Sequence, residues 1–96
     1  MRLVIRPDAE IDITEGYDWY EHKQQGLGLE FMAAVSFTIT SVLSDPYHFP
    51  CIFRQLRRAI VNRFPYGVFF IARPDAVVVV AAMHHARNPR RLKTRH

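Results

Sequence analysis

Cysteine is nearly absent from this chain of 96 residues, in which Cys51 stands alone. A single thiol excludes an intramolecular disulfide, so a reducing cytoplasm is the simplest setting for the chain. Glycine is also scarce, with four residues, while 49% of the residues are apolar. This composition argues against extensive disorder and predicts one folded domain over residues 1–96 with a modest core.

Several kinds of site and segment are missing as well. The histidines show no spacing with cysteines or acids that would hold a metal ion, and phosphate loops and nucleophile motifs are absent, so we predict no metal and no cofactor. We expect no membrane helix, because no segment approaches about 18–20 uncharged apolar residues. The apolar N-terminus is interrupted by Arg6, Pro7 and Asp8, which is too early for a secretory signal.

Acidic residues are almost absent from the second half of the chain. Residues 1–53 carry a net charge of −5, whereas residues 54–96 contain Asp75 as their one acid and carry +9. Such a split predicts a basic surface built by the C-terminal half, suited to an anionic partner; a soluble protein with a basic tail is the alternative. Residues 88–96 are predicted to form that flexible basic tail.

The apolar residues that are present concentrate in two segments around Pro74 and Asp75. Residues 66–73 and 76–83 are rich in Val, Ile, Phe and Tyr, and a two-residue turn between such segments predicts a hairpin. Residues 56–64 form a third strand candidate, joined to the hairpin through Pro65 and Gly67, where the chain is expected to turn.

The N-terminal half predicts a strand over residues 2–6 and two helices. Asp8 is the expected N-cap of a helix over residues 9–23, and the second helix runs from about residue 26 to 44. Apolar residues repeat every three or four positions in both helices and form one stripe on each: Ala9, Ile13, Tyr17 and Tyr20 on the first, and Leu27, Phe31, Val35, Ile39 and Val42 on the second. The short break between these segments favours an antiparallel helical hairpin. The acids Asp12, Glu15 and Glu21 are expected on a solvated face. Residues 47–55 are predicted to be a loop that tucks Phe49, Ile52 and Phe53 under the sheet.

The predicted fold is therefore α+β, with a helical hairpin on one face of a small, mostly antiparallel four-stranded sheet in the order β-α-α-β-β-β. Strict alternation would place Val77, Val79, Ala81 and Met83 on one face and Val78, Val80 and Ala82 on the other. Both faces are apolar, but two helices can cover only one. We therefore expect either a sheet that curves around its own residues or a cover on the second face by a protein partner or by self-association.

A series of short fragments extends over some 80 residues of the chain: residues 9–12, Trp19-Tyr20-Glu21, Gly26-Leu27-Gly28, Phe31, Asp45-Pro46, Arg57-Arg58, residues 63–68, His85, Arg87 and Pro89. Each fragment is unspecific alone, but in this order and spacing they resemble the RelE/ParE superfamily of bacterial type II toxin–antitoxin toxins. The resemblance is greatest to the ParE-like branch, sometimes labelled plasmid-stabilisation proteins.

The resemblance implies a cytoplasmic toxin that causes growth arrest and is silenced by a cognate antitoxin. ParE-like members inhibit DNA gyrase, whereas RelE-like members cleave messenger RNA on the ribosome. The resemblance is thus compatible with three functions: a gyrase inhibitor, a ribosome-dependent ribonuclease, or an inactive relative that still binds an antitoxin. Because only the second of these is an enzyme, the resemblance does not decide whether the chain is one. A homodimer, or a heterotetramer with the antitoxin, is also compatible with it.

Candidate site residues follow from the same comparison. A ribonuclease would use arginines to hold phosphate and histidines to move protons, with Arg57, Arg63, His85 and Arg87 as candidate catalytic residues. The resemblance also gives reasons against a ribonuclease, because RNA-cleaving relatives carry lysines on the strands and often a tyrosine near the C-terminus. This chain has no lysine between Lys23 and Lys93 and no tyrosine after Tyr66. The arginines present instead seldom act as bases. The candidates for target or nucleic-acid binding are Arg58, Arg73, His84, Arg90 and Arg91. The candidates for antitoxin binding are Trp19, Phe69, Ile71, Val78 and Val80.

Overall fold

The computed structural model describes residues 1–87, so the predicted tail, with Arg90 and Arg91, lies outside the described residues. The described chain forms two helices on a single sheet. Its elements in order are β1 (Arg2–Ile5), α1 (Pro7–Lys23), α2 (Leu27–Ser44), a 3-10 turn (Pro46–His48), β2 (Cys51–Phe53), β3 (Leu56–Ile60), β4 (Tyr66–Arg73) and β5 (Ala76–His84).

The sheet has the strand order β1-β5-β4-β3-β2, with β1 parallel to β5 and the other neighbours antiparallel. The α+β class, the helical hairpin and the tight turn at residues 74 and 75 are confirmed. The sheet has five strands rather than four, because part of the predicted loop, Cys51–Phe53, pairs with β3 as a short edge strand. Ile52 is 39% exposed on this strand and does not tuck under the sheet.

Helix α1 begins two residues earlier than an Asp8 cap would require. Arg6 is the N-cap residue and Pro7 occupies the first turn. Proline is favoured there because its fixed φ suits a helix and its missing N–H would have had no partner. Asp8 and Glu10 lie in the first turn, where the helix dipole stabilises acids.

Glu21 orders the turn between the helices rather than facing solvent. Its carboxylate accepts hydrogen bonds from the backbone N–H groups of Gly26, at 3.0 and 3.2 Å, and Gly28, at 3.0 Å. These N–H groups belong to the first turn of α2, which otherwise leaves its donors without partners. Gly26 has φ +89°, a conformation that glycine adopts without strain.

The main core lies between the helical hairpin and one face of the sheet. Both predicted helical stripes are confirmed, since Ala9 and Ile13 of α1 and Phe31 and Val35 of α2 are buried. An aromatic cluster closes one end of this core, with ring centroids 4.9–6.1 Å apart among Tyr20, Phe31, Phe64 and Tyr66. By length and composition alone α2 could cross a membrane, but one third of its residues is buried in this domain.

An extra residue in β5 changes which side chains face the helices. Phe69 pairs with Ala81 while Phe70 pairs with Val79, so Val80 is left over as a bulge. Strict alternation was therefore wrong beyond this point: Ala82 lies in the main core with Val79, and Ala81 and Met83 lie on the opposite face with Val80.

Asp12 stabilises β5 just after the bulge. The pairing of β1 with β5 ends at Val79, so the residues of β5 after Val79 have no neighbouring strand on that side. The Asp12 carboxylate accepts a hydrogen bond from the backbone N–H of Ala82 at 3.0 Å, and Asp12 is only 8% exposed. The expectation that Asp12 is solvated was therefore wrong, because an unpaired N–H buried at this edge would cost free energy.

The second face of the sheet forms a core of its own, which we call the second-face cluster. It consists of six buried residues, each at most 7% exposed: Leu56, Phe69, Ile71, Val80, Ala81 and Met83. Of the two expectations for this face, the isolated chain therefore fits shielding by its own residues. In the part of the chain that the structure describes, these six residues leave no open apolar surface for a partner.

Candidate functional site

Arg57 and Arg58 are adjacent on β3, but they belong to opposite faces of the sheet. Arg57 pairs with Phe70 of the main core, and its guanidinium donates hydrogen bonds to the carbonyl oxygens of Tyr47, at 3.4 Å, and Phe49, at 2.5 Å. The same guanidinium lies 5.1 Å from the centre of the Tyr47 ring. Arg57 thus holds the segment that follows α2 against the sheet.

Arg63 is engaged at the other end of α2. It lies in the turn before β4 with φ +73°, and its guanidinium forms an ion pair with Glu30 in the first turn of α2 at 2.8 Å. Because α2 is about 27 Å long at 1.5 Å per residue, Arg57 and Arg63 have partners at opposite ends of that helix. The structure does not bring the four candidate catalytic residues into one cluster.

Four of the other basic candidates meet on the second face, in what we call the cationic cleft. This cleft has a volume of about 180 Å³ and combines basic and apolar walls. Its lining residues are Arg58, His84, His85, Arg87, Ile52, Phe69 and Met83. His85 and Arg87, proposed as catalytic residues, therefore share a site with Arg58 and His84, proposed for nucleic-acid or target binding.

Local backbone features position the basic groups of the cationic cleft. A Cβ atom on Gly67 would lie 3.2 and 3.3 Å from the Arg58 side chain, so glycine leaves room for that chain to cross β4. After β5, the N–H of His85 donates to the carbonyl of Pro65 at 2.8 Å, and the N–H of Arg87 donates to that of His84 at 3.0 Å. These bonds fold residues 84–87 into a turn beside Arg58.

The chemistry of the cationic cleft is that of anion binding with one or two proton carriers. Guanidinium groups bind phosphate or carboxylate oxygens through charge-assisted hydrogen bonds. The N–H of Ala86 donates to Nδ1 of His84 at 2.9 Å, so a neutral His84 carries its proton on Nε2. The cleft thus brings the guanidinium groups of Arg58 and Arg87 together with the imidazoles of His84 and His85.

A larger cleft, the Trp19 cleft, lies beside it and shares His84 and Arg87. Its volume is about 760 Å³, and one wall is the acidic and aromatic face of α1. Trp19 is 57% exposed on that wall, and the Lys23 ammonium lies 4.4 Å from the centre of its ring. The full lining is Glu15, Asp18, Trp19, His22, Tyr66, His84, Ala86 and Arg87. Such a wall suits an apolar or cationic side chain of a protein partner.

Tyr66 lies where this cleft meets the main core. Burial and the nearby Tyr20 phenol raise the pKa of the Tyr66 hydroxyl above its ordinary value, while Arg87 lowers it and the Asp12 and Glu15 carboxylates raise it. Tyr66 therefore stays protonated at neutral pH, where it can donate a hydrogen bond but does not act as a base.

Three of the five candidates for antitoxin binding offer little surface in the isolated chain. Phe69, Ile71 and Val80 are 7%, 5% and 0% exposed, respectively, as members of the second-face cluster. Val78 is half-buried at the margin of that cluster, so Trp19 is the one exposed member of the set.

Arg73 lies apart from both clefts. It is exposed and pairs with Ala76 at the turn of the β4–β5 hairpin, whereas Tyr66 and His84 pair at the opposite end. An eight-residue strand separates these ends by about 23 Å, so Arg73 and the cationic cleft do not contact one ligand phosphate together. Arg90 and Arg91 lie outside the described residues.

Sequence reasoning missed the roles of Tyr66 and Gly67 at these clefts and of Asp12 and Glu21 nearby. For Asp12 a signal was present, because it falls between Ala9 and Gly16 on the apolar stripe of α1. An acid inside such a stripe indicates a buried partner. No comparable signal marks Gly67, whose role depends on the register of β3 against β4.

Comparison with known proteins identifies the fold. No family model matches the chain, and no curated protein sequence matches it. Among solved structures, a chain of the "chromosomal ParDE TA system from P. aeruginosa" is similar, with a TM-score of 0.78 and 15% sequence identity. The match covers 88% of this chain and 95% of that chain. The ParE-like fold implied by the sequence resemblance is thereby confirmed.

Proposed function

We propose that this chain is the toxin of a type II toxin–antitoxin pair, acting in the cytoplasm and neutralised by a cognate antitoxin. The observation that carries the proposal is the fold match to a ParDE system, which extends over 88% of the chain. The ordered sequence fragments that resemble RelE/ParE toxins support it independently. Together they outweigh the low sequence identity, since fold alone does not determine function.

The antitoxin is proposed to contact the Trp19 cleft. Trp19 presents more than half of its surface there, and aromatic residues of this kind are frequent anchors at protein interfaces. Glu15 and Asp18 beside it favour an antitoxin segment that carries a Lys or Arg among apolar side chains.

Inhibition of DNA gyrase, and thereby of replication, is the proposed toxic activity. Support comes from the engagement of Arg57 and Arg63 at opposite ends of α2, which leaves no cluster of the four candidate catalytic residues. Within residues 1–87, no lysine lines the cationic cleft, and its arginines are poor bases. A toxin that acts by binding needs a surface of this kind but no proton-transfer machinery.

A ribosome-dependent ribonuclease is the second candidate, and the cationic cleft favours it. Cleavage at a 2′-hydroxyl needs a base for that oxygen, cations on the phosphate and an acid for the 5′-oxygen. His84 and His85 could exchange the protons, while Arg58 and Arg87 could hold the phosphate. Both candidates therefore use the same cleft, but they differ in which cellular process stops.

Expression of the chain alone in bacteria, followed by pulse labelling of DNA and protein, distinguishes them. We expect DNA synthesis to stop first, with a DNA-damage response and loss of negative supercoiling. Translation that stops first, with cleaved messages, would instead support the ribonuclease. Continued growth at a verified level of folded protein would contradict both and indicate an inactive relative.

Paired variants connect the result to the cleft. Arg58→Ala and His85→Ala are expected to reduce growth arrest at least tenfold in surviving colonies, whereas Arg73→Ala removes an exposed arginine from the far end of the sheet and is the matched control. We expect the antitoxin to be encoded by a small, acidic reading frame immediately upstream. Its co-expression should restore growth. Trp19→Ala should weaken that rescue without reducing toxicity.

A further inference from the structure

The outer side of α1 carries a groove that lies outside both cores. It has a volume of about 340 Å³, and we call it the α1 groove; its lining residues are Pro7, Glu10, Ile11, Thr14 and Glu15. Ile11 is 56% exposed in it, while Glu10 precedes Ile11 and Glu15 follows one turn later. A large exposed apolar side chain between two acids fits a segment that combines an apolar residue with Lys or Arg.

The part of the chain that the structure describes ends beside this groove. Arg87 is its last residue and lines the Trp19 cleft together with Glu15. The same two residues also line a chamber of about 10 Å³, which Asp12 and Tyr66 share. A chamber of that size holds about one water molecule, so Arg87 and Glu15 are close neighbours. The continuation of the chain therefore starts at the Glu15 end of the α1 groove.

Residues 88–96, which lie outside the described residues, have the complementary composition. They contain no acid and have Leu92 as their one large apolar residue. Their basic residues are Arg90, Arg91, Lys93 and Arg95. An extended chain spans about 3.3–3.6 Å per residue, so this segment reaches at most about 30 Å, whereas Pro7 and Glu15 lie about 12 Å apart along α1. The segment is therefore long enough to follow the whole groove.

We propose that residues 88–96 dock in the α1 groove of their own chain, with Leu92 against Ile11 and basic side chains beside Glu10 and Glu15. A segment tethered at Arg87 is presented to the groove at an effective concentration on the order of millimolar, which favours it over a free peptide of the same composition. The phosphates of a nucleic acid would instead be repelled by the two carboxylates. Docking of this segment is independent of the proposed function, because it needs neither an antitoxin nor a target.

Docking controls how much of the basic surface is available to an anionic partner. The four basic residues of the segment, while held on α1, do not add to the attraction exerted by the cationic cleft. Exposed ion pairs are individually weak and are screened by salt, with a Debye length of about 10 Å at 0.1 M, so the segment exchanges readily between docked and released forms. Of the residues that line the α1 groove, only Glu15 also lines the Trp19 cleft, so Trp19 stays exposed in the docked form.

Paramagnetic NMR of the full chain tests the docking. In a Cys51→Ser background, a spin label on Thr94→Cys is expected to broaden the amide signals of Glu10, Ile11 and Thr14 at about 20 mM salt and to lose this effect at about 500 mM salt, where charges are screened. Peak intensities with the label oxidised and reduced measure the broadening. Broadening that is spread evenly around Arg87 and does not depend on salt would overturn the proposal.

Matched variants distinguish docking from mere proximity. Glu10→Gln combined with Ile11→Gln is expected to abolish most of the broadening at Thr14, because it removes the apolar contact and one carboxylate. Leu29→Gln combined with Asp45→Asn makes the same kinds of change at exposed positions outside the groove and should leave the broadening as it was. Circular dichroism checks that both variants are folded. Broadening at Thr14 that survives the first variant overturns the proposal.

A mixing experiment shows whose groove the segment occupies. Chains that carry the spin label are mixed with isotope-labelled chains that carry none. Docking within one chain predicts broadening only when both labels are on the same chain. Broadening of Ile11 and Thr14 in the mixture would assign the segment to a second copy and contradict the proposal.

Discussion

The two apolar surfaces of this domain differ in a way that its composition does not reveal. The second face of the sheet carries a cluster of six apolar residues that is buried in the isolated chain. The outer face of α2 is also apolar, yet Leu29 and Phe37 are about two-thirds exposed. Apolar composition therefore predicts that a surface should be buried, but only the fold determines which apolar surface stays exposed.

The largest expected effect is the contrast in stability between these two surfaces. Phe69→Ala should lower the free energy of unfolding by about 3–5 kcal/mol, because it opens a cavity in a buried cluster. Phe37→Ala should change it by less than about 0.5 kcal/mol in the monomer, because Phe37 has little packing to lose. Urea denaturation at low protein concentration measures both values. Equal losses would remove the distinction between the surfaces.

The Asp12→Ala variant tests how the bulge beside the second-face cluster is stabilised. Loss of the carboxylate leaves the N–H of Ala82 without its acceptor just after the bulge that directs Val80 and Ala81 to that cluster. We expect a loss of about 1–3 kcal/mol in unfolding free energy. Glu15→Ala, one turn further along α1 at an exposed position, serves as the control and should cost much less. Hydrogen exchange at Ala82 should quicken in the first variant alone.

The boundary between the main core and the Trp19 cleft is tested by alkaline pH. The folded state raises the pKa of Tyr66, so it favours the neutral phenol. Its stabilising contribution is therefore fully present below about pH 10, the unfolded value, and is lost as pH rises through the higher folded value. Unfolding free energy should fall with pH in that range. Tyr66→Phe should weaken this dependence, and part of it should remain because burial also raises the pKa of Tyr20.

The smallest effect is expected at the start of α2, on the exposed side of the comparison. The Arg63–Glu30 ion pair has both side chains about half exposed, so Arg63→Ala should cost no more than about 0.5 kcal/mol. Thermal unfolding at low and high salt measures it. A loss well above that value would mean that this end of the helix depends on the turn before β4.

Local patterns predicted the helical hairpin and the β4–β5 turn, because both depend on residues close in sequence. The apolar stripes of α1 and α2 led directly to the buried Phe31 and Val35. The bulge at Val80 could not be predicted in this way, since it depends on the register of β4 against β5. That one residue changed the face to which Ala81 and Ala82 belong.

The candidate site was predicted only in part, for a related reason. Sequence could identify basic residues, but their partners come from distant segments: Arg57 binds carbonyls that follow α2, and Arg63 binds Glu30. Only the folded chain shows that Arg58, His85 and Arg87 remain to line one cleft. The charge distribution therefore predicted which half of the chain carries the site. The pairing of the strands determines which basic residues line it.

Covalent footprinting of the isolated chain at submicromolar concentration tests whether the outer face of α2, rather than the second face of the sheet, is the open apolar surface. A carbene or hydroxyl-radical label, read out by mass spectrometry, reports the solvent exposure of each side chain in the monomer. We expect strong labelling of Leu29, Phe37 and Trp19 and protection of Phe69, Ile71 and Val80. Labelling of Phe69 and Ile71 as strong as that of Phe37 would contradict it, because the sheet would then be the open surface.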